Sequence, residues 1–178
     1  MEGKCVLFKE FGNVNAVPIC LDTQDTEEII QSVKNIAPAF GGINLEDISA
    51  PRCFEIEERL KAMLDIPVFH DDQHGTAIVV LSAIINSLKI TGKKKEECRV
   101  VVNGAGAAGI AIAKLLLTYG FKNVTLCASR GIISRSTPKL NWMQEKMLEV
   151  TNLSNQTGTL ADALKGADIF IGVSVPNA

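Results

Sequence analysis

The amino-acid sequence predicts an α/β fold in which parallel sheets carry helices on both faces. Short apolar runs alternate along the chain with longer stretches of helical periodicity, and the connections between them are short. The runs are also continuously apolar, as in Val100-Val101-Val102. Continuous apolarity is typical of strands that are buried on both sides of a sheet.

The elements of the first half are predicted from their periodicity and their end signals. The apolar runs at Lys4–Phe8 and Ala16–Cys20 favour two strands. They are followed by a helix at Asp22–Ala37 that stops before Pro38, an extended segment at Ile43–Leu45, a helix at Pro51–Leu64 that begins with proline, and a strand at Ile66–His70.

The second half begins with a long, mostly apolar helix at Gly75–Ile90. After it we predict strands at Arg99–Asn103, Asn123–Ala128 and Asp168–Val173, and helices at Gly106–Tyr119, Leu140–Val150 and Leu160–Lys165. The long helix is therefore expected to join two α/β units, residues 1–74 and residues 75–178, with the boundary around Asp71–Gly75.

The composition argues against several classes of function. A net charge of −2 over 178 residues argues against nucleic acid as the main partner, because phosphate contacts need a basic face. No apolar run approaches the roughly 20 residues that cross a bilayer, so no membrane span is predicted. The five cysteines form no CxxC pair, which argues against a cysteine metal cage and favours a reducing, cytoplasmic location.

The clearest local motif is G-x-G-x-x-G, between a predicted strand and a predicted helix. Gly104 would permit the tight turn, Gly106 would let the backbone approach a pyrophosphate, and Gly109 would let helix and strand pack closely. Because the required strand and helix flank it, the motif favours a Rossmann-type dinucleotide site over a purely structural turn. The candidate cofactor-binding residues here are Asn103, Gly104, Ala105, Gly106, Ala107, Ala108 and Gly109.

The choice between NAD and NADP depends on the end of the next strand, at Ala128-Ser129-Arg130. An acidic residue usually stands there and binds the ribose 2′-hydroxyl. Ala128 offers no carboxylate and Arg130 supplies a guanidinium, so a 2′-phosphate becomes tolerable. Arg130 could equally be a solvated loop residue. Ser129 and Arg130 are therefore candidate cofactor contacts, and the cofactor is NAD or NADP.

Two acidic pairs, Glu46-Asp47 and Asp71-Asp72, stand directly after predicted strands. Ligands of open α/β sheets gather at the carboxyl ends of strands, and two or three carboxylates there suit Mg²⁺ or Mn²⁺. The alternative is helix capping, because Asp47 and Asp72 both precede predicted helices. The spacing alone does not separate a metal site from a pair of caps.

Four stretches together resemble the compact microbial type of malic enzyme: Met1–Lys4, Phe40–Glu55, Val68–Ala77 and Asn103–Gly109. The resemblance runs through the whole sequence. It implies oxidative decarboxylation of malate to pyruvate with NAD or NADP and with Mg²⁺ or Mn²⁺, in a homo-oligomer. Residues 1–74 would then bind metal and substrate, and residues 75–178 would form the first half of the dinucleotide-binding domain.

The resemblance also gives roles to individual residues. Lys4 is similar to the family's catalytic lysine and Asp71 to its carboxylate partner, whereas the residues similar to metal ligands are Glu46, Asp47 and Asp72, and Thr76 joins the cofactor-binding set. A lysine beside a dication could accept the C2 hydroxyl proton of malate while the cation polarises the C2 oxygen. Without the resemblance, Lys4 would be taken for a solvated lysine.

Other features of the family are expected to lie outside these residues. A catalytic tyrosine and a substrate-binding arginine would stand upstream of Met1, and the single tyrosine, Tyr119, is predicted to pack at a helix end. The second sheet is expected to stop at its third strand, before the strand-order switch that completes a dinucleotide site, and to leave an unpaired edge. The sequence is thus expected to be the central part of a longer protein, inactive in isolation.

Two other functions remain open. One is a non-catalytic relative that binds dinucleotide or metal without turnover. The other is a different Rossmann dehydrogenase, such as an amino-acid dehydrogenase, which the acidic pairs disfavour because such enzymes need no metal.

Overall fold

The structure is a computed structural model in which residues 1–175 are described. The helices are α1 (Glu2–Gly12), α2 (Thr26–Ile36), α3 (Arg52–Met63), α4 (Asp71–Thr91), α5 (Ala107–Tyr119), α6 (Trp142–Met147) and α7 (Leu160–Leu164). The strands are β1 (Ile43–Leu45), β2 (Val68–His70), β3 (Arg99–Asn103), β4 (Asn123–Ala128), β5 (Gly131–Ile132) and β6 (Ile169–Gly172). A short 3₁₀ turn, Ala37–Ala39, follows α2.

The prediction for the N-terminal segment is wrong. Lys4–Phe8, predicted as a strand, lies inside α1, and Ala16–Cys20 forms no strand. The helix ends where Asn13 adopts the left-handed conformation and its N–H donates to the Lys9 carbonyl. No residue of α1 is buried among the described residues, so its sequence carries no core-facing stripe from which the helix could have been predicted.

The strands form two sheets. β1 and β2 pair in parallel, with Leu45 opposite His70, so both strands end at the same edge. The larger sheet has the order β5-β4-β3-β6, in which β4 and β6 are both parallel to β3 and β5 is antiparallel to β4. The predicted α/β class is confirmed. One expectation is wrong. The sheet was expected to stop before the switch in strand order, but β6 pairs with the side of β3 opposite to β4, so the switch lies within the described residues.

Helices cover the larger sheet on both faces, as predicted. Val100 and Val102 of β3 lie in the main core, together with Ile110 and Leu116 of α5. Val101 lies in a smaller core with residues of α7. Since successive strand residues point to opposite faces, this one valine run is buried from both sides. A third core joins the two-stranded sheet to α2 and α3.

Helix α4 connects the two sheets and follows β2 without a loop. Ala77 and Ile84 are buried, whereas Ile78, Val79 and Ile90 are exposed. Contrary to the expectation from the sequence, α4 is long and apolar enough to span a bilayer, with a mean hydropathy of 1.3 over 18 residues. A single such helix is weak evidence for a membrane span, because core helices meet the same criterion. The finding defines an apolar, exposed face on α4.

Candidate active site

The ends of β1 and β2 bring both acidic pairs together with the N-terminal lysine. Because Leu45 and His70 are register partners, Glu46 and Asp71 follow at the same edge. The Nζ atom of Lys4 lies 2.5 Å from Oδ2 of Asp71 and 3.2 Å from Oε1 of Glu46. The hydrogen bond to Asp71 holds the pKa of Lys4 above its usual value. Helix α1 thus places one ammonium group between two carboxylates, each of which directly follows a strand.

A cavity of about 420 Å³ lies at this edge. Its lining includes one aspartate of each acidic pair and three residues of the predicted cofactor set. The lining residues are Asp47, Ile48, Ser49, Ala50, Asp72, Thr76, Ala107 and Ala108. Residues from both halves of the sequence therefore share one space, between the small sheet and the start of α5.

Helix capping does not account for the aspartates. The N-cap of α4 is His70, so Asp72 lies inside the first turn, and no side chain caps that end. The N-cap of α3 is Pro51, again without a side-chain cap, and Asp47 stands several residues earlier with a φ of 57°. Aspartate tolerates this left-handed conformation better than most residues. Of the two alternatives left open by the sequence, capping is the one that the structure contradicts.

The glycine loop has the geometry of a tight strand-to-helix turn. Gly104 has a φ of +119°, and a β-carbon built on it would lie 2.7 Å from the Val173 backbone. A β-carbon built on Gly109 would lie 1.7 Å from the carbonyl oxygen of Gly104. Gly106, the N-cap of α5, has nothing within 4 Å on that side. Gly104 and Gly109 thus close the turn, and Gly106 leaves open the space that a pyrophosphate would need.

Comparison with known proteins establishes the family. Residues 1–61 match the malic enzyme N-terminal domain, and residues 73–176 match the malic enzyme NAD binding domain. The chain belongs to the malic enzyme family. The resemblance seen in the sequence is thereby confirmed.

The relatives differ in cofactor. The chain is 61% identical over 176 residues to the NAD-dependent malic enzyme of Geobacillus stearothermophilus. The aligned region covers 99% of this chain and 37% of that protein. It is 47% identical over 180 residues to the NADP-dependent malic enzyme of Haemophilus influenzae, covering 100% of this chain and 24% of that protein. Both cofactors thus occur among malic enzymes similar to this chain.

A solved structure supports the fold. The NAD-dependent malic enzyme of Thermotoga maritima superposes with a TM-score of 0.95 at 52% identity, over 99% of this chain and 47% of that chain. The chain accordingly spans less than half the length of each of these three malic enzymes.

The residues that resemble malic enzyme metal ligands suit a hard cation by their chemistry. Asp47 and Asp72 offer carboxylate oxygens to one cavity, and oxygen donors are those that Mg²⁺ and Mn²⁺ prefer. Glu46 is engaged elsewhere, since its Oε2 accepts a hydrogen bond from Asn44 at 2.7 Å and its Oε1 faces Lys4. Within residues 1–175, no three His, Cys, Asp or Glu side chains are grouped closely enough to hold a metal. Glu46 could serve a cation at this edge as a third carboxylate only if it left Lys4.

Ser129 and Arg130 lie exposed in the turn between β4 and β5. Since β3 and β4 are parallel, with Asn103 opposite Cys127, this turn and the glycine loop leave the sheet at the same edge. Tyr119 packs away from that edge, with its ring centroid 6.4 Å from that of Phe121. Its position agrees with the helix-end packing predicted from the sequence.

Two supporting residues were missed in the sequence. Gln144 of α6 donates from Nε2 to the carbonyl oxygen of Ala105 at 3.1 Å, and so fixes the glycine loop from outside the motif. A β-carbon on Gly75 would lie 2.2 Å from Oδ1 of Asp71, so the glycine makes room for that carboxylate. Because the helix was predicted to start at Gly75, Asp71 and Gly75 were not placed on one helical turn.

Proposed function

We propose that this chain forms the metal- and dinucleotide-binding part of an enzyme that converts malate to pyruvate by oxidative decarboxylation, with NAD or NADP and Mg²⁺ or Mn²⁺. We call the carboxyl ends of β1 and β2, with Glu46-Asp47 and Asp71-Asp72, the acidic edge. The observation that carries the proposal is the shared cavity, where Asp47 and Asp72 of this edge meet Thr76 and the start of α5. The names of the relatives support the reaction and the two cofactors. In this proposal residues 1–74 supply metal and substrate contacts and residues 75–178 supply cofactor contacts.

The cation would be held by Asp47 and Asp72, with Glu46 as a third ligand. When bound, it supplies Lewis-acid polarisation of the substrate oxygens. The hydrogen bond to Asp71 and the nearby Glu46 raise the pKa of Lys4 and so favour its protonated form. Lys4 must therefore release its proton before it can accept one. Asp71 Oδ2, 2.5 Å from Nζ, would hold the amine in place while Lys4 loses that proton to solvent, a loss that the positive charge of a bound cation would favour. Lys4 Nζ would then accept the C2 hydroxyl proton of malate. A bound nicotinamide would supply the hydride acceptor that the oxidation needs.

The dinucleotide would lie along the glycine loop. The free N–H groups at the start of α5, including those of Ala107 and Ala108, carry the positive end of the helix dipole and suit a pyrophosphate. Ser129 and Arg130 would contact the 2′ position of the adenosine ribose. The exposed guanidinium of Arg130 favours acceptance of NADP alongside NAD.

A binding function without turnover is the second candidate for the 178-residue chain on its own. Tyr119, the one tyrosine in the sequence, packs beside Phe121 rather than at the acidic edge, so it is not available to protonate an enolate. Loss of a positioned group alone costs several powers of ten in rate. We therefore expect the isolated chain to bind NADH and Mn²⁺ but to form little pyruvate, and a version extended at both ends to be active.

The test combines binding with turnover. NADH and NADPH are titrated by nicotinamide fluorescence, Mn²⁺ by calorimetry, and pyruvate is measured with and without Mn²⁺. In the extended version, Lys4→Ala should abolish malate oxidation and leave NADH binding unchanged. Failure of the 178-residue chain to bind either dinucleotide or Mn²⁺ would contradict the proposal. Turnover without metal would instead favour the different class of dehydrogenase, and robust pyruvate formation by the isolated chain would contradict the expected inactivity.

A further inference from the structure

A buried polar cluster links α3 to the junction of β2 and α4. His70 is fully buried, and Gln73 and Glu57 are each 4% exposed. Burial of three polar side chains is costly unless they bond to one another. Here Nε2 of Gln73 lies 3.2 Å from Oε2 of Glu57 and 3.0 Å from Nδ1 of His70. The cluster ends directly beneath the acidic edge, because His70 precedes Asp71-Asp72.

Glu57 determines the orientation of the Gln73 amide. A carboxylate only accepts hydrogen bonds, so the Gln73 group that faces it must be the NH₂ and not the carbonyl oxygen. Glu57 is itself held in place, since its Oε1 lies 2.6 Å from Nε2 of His74 and 2.8 Å from Nζ of Lys61. The second proton of the Gln73 amide therefore points to Nδ1 of His70.

The Gln73 amide in turn determines where the His70 ring carries its proton. Nδ1 can accept from Gln73 only if it is unprotonated, so the N–H of the neutral ring lies on Nε2. That Nε2 is buried and has no aligned hydrogen-bond partner among the described residues. Oδ2 of Asp72 lies 3.4 Å from it, close enough for an ion-pair contact but not placed to make a hydrogen bond. The Asp72 side chain is 44% exposed, so it is less confined than the fully buried His70 ring.

We infer that Glu57 and Gln73 are positioning residues that hold His70 as the Nε2–H tautomer, and that His70 orients the Asp72 carboxylate for a divalent cation. The inference rests on the proposed function, in which Asp72 is a metal ligand. Partners that hydrogen-bond to metal-ligating carboxylates fix the ligand's orientation, and their loss weakens metal affinity by about 10- to 100-fold.

The tautomer is tested without metal, by ¹⁵N NMR of the imidazole nitrogens at neutral pH. The sequence contains two histidines, so His74→Gln leaves His70 as the only signal. We expect a protonated Nε2 and an unprotonated Nδ1, with the Nδ1 signal shifted in Gln73→Met. A proton on Nδ1 in the His74→Gln variant that keeps Gln73 would overturn the inference, whatever the outcome for metal binding.

The role toward the cation is tested by calorimetric titration of Mn²⁺ into the 178-residue chain. His70→Leu should weaken Mn²⁺ binding by at least tenfold, whereas His70→Gln, which keeps an N–H donor of similar reach, should restore most of the affinity. His74→Gln is the matched control, since it keeps a hydrogen-bond donor for Glu57 at a position with no contact to Asp72 among the described residues, and it should change affinity less than twofold. Equal effects of His70→Leu and His70→Gln would overturn the role.

Asp72→Asn and Asp65→Asn separate this inference from the proposed function. If Asp72→Asn weakens Mn²⁺ binding and exposed Asp65→Asn does not, the metal site holds and the His70 variants decide the inference. If both leave the affinity unchanged, Asp72 is not a ligand and the proposed metal site fails, while the NMR measurement still decides the tautomer.

Discussion

Alanine substitutions at Gly109 and Gly106 should separate the structural glycine of the loop from the ligand-facing one. In a helix interior, glycine to alanine ordinarily stabilises by about 1 kcal/mol. At Gly109, however, the new β-carbon would lie 1.7 Å from the Gly104 carbonyl oxygen, half the ordinary contact distance of 3.4 Å. The obstacle is backbone in a closed turn and cannot rotate away. Overpacking of this kind costs about 1–3 kcal/mol, and we expect the upper end because α5 must move off β3.

The net effect of Gly109→Ala is then a loss of about 2 kcal/mol, since the helix-propensity gain offsets part of the clash. For a chain of this length that corresponds to a fall in Tm of roughly 4–8 °C. Gly106→Ala meets nothing within 4 Å and has an allowed φ of −92°, so its Tm should fall by only about 2–4 °C, the cost of alanine at an N-cap. It should nevertheless weaken NADH binding at least tenfold, because its methyl group occupies the pyrophosphate space.

The measurements are thermal unfolding followed by circular dichroism and NADH titration followed by fluorescence, on both variants and the unchanged chain. Detectable NADH affinity that Gly106→Ala leaves unchanged would show that the dinucleotide does not lie against this loop. A Tm for Gly109→Ala equal to that of Gly106→Ala would refute the steric argument.

Three further outcomes are expected. Gly75→Ala should displace the Asp71 carboxylate from Lys4, because the new β-carbon would lie 2.2 Å from Oδ1. Malate oxidation by the extended protein should therefore fall with little change in Tm, and unchanged activity would contradict this. Burial raises the pKa of the Cys53 and Cys127 thiols to about 11, so the unfolded chain loses these protons first, and the free energy of unfolding should fall between about pH 9 and 11. Replacing both thiols by alanine should flatten that slope, and an equally steep decline would assign it to other groups. Arg130→Ala should weaken NADPH binding more than NADH binding, and equal changes would remove Arg130 from the 2′-phosphate site.

The sequence predicts the dinucleotide unit well because its signals are local. The strand at Arg99–Asn103 agrees residue for residue with β3, since its apolar run and the following glycines both mark its ends. The position of β6 was not predictable in the same way. Strand order depends on which side of β3 the returning chain takes, and no local pattern in residues 169–172 encodes that choice.

The acidic edge shows where sequence reasoning reaches its limit and what the fold adds. From spacing alone, Asp47 and Asp72 were equally good as caps or as ligands, because both readings need an aspartate before a helix. The fold removes this ambiguity by starting α4 at Asp71, which places Asp72 within the first helical turn and leaves no helix end for it to cap. Its remaining structural contribution is the favourable interaction of a carboxylate with the helix dipole, about 0.3–1 kcal/mol, which any acidic residue in that turn would supply. A dipole interaction does not explain why Asp72 lines the same cavity as Asp47. Nor does it explain why Asp72 lies beside Nε2 of His70, a buried nitrogen without a hydrogen-bond partner among residues 1–175. These two relations depend on tertiary structure, and they are the reason why we propose Asp72 as a cation ligand.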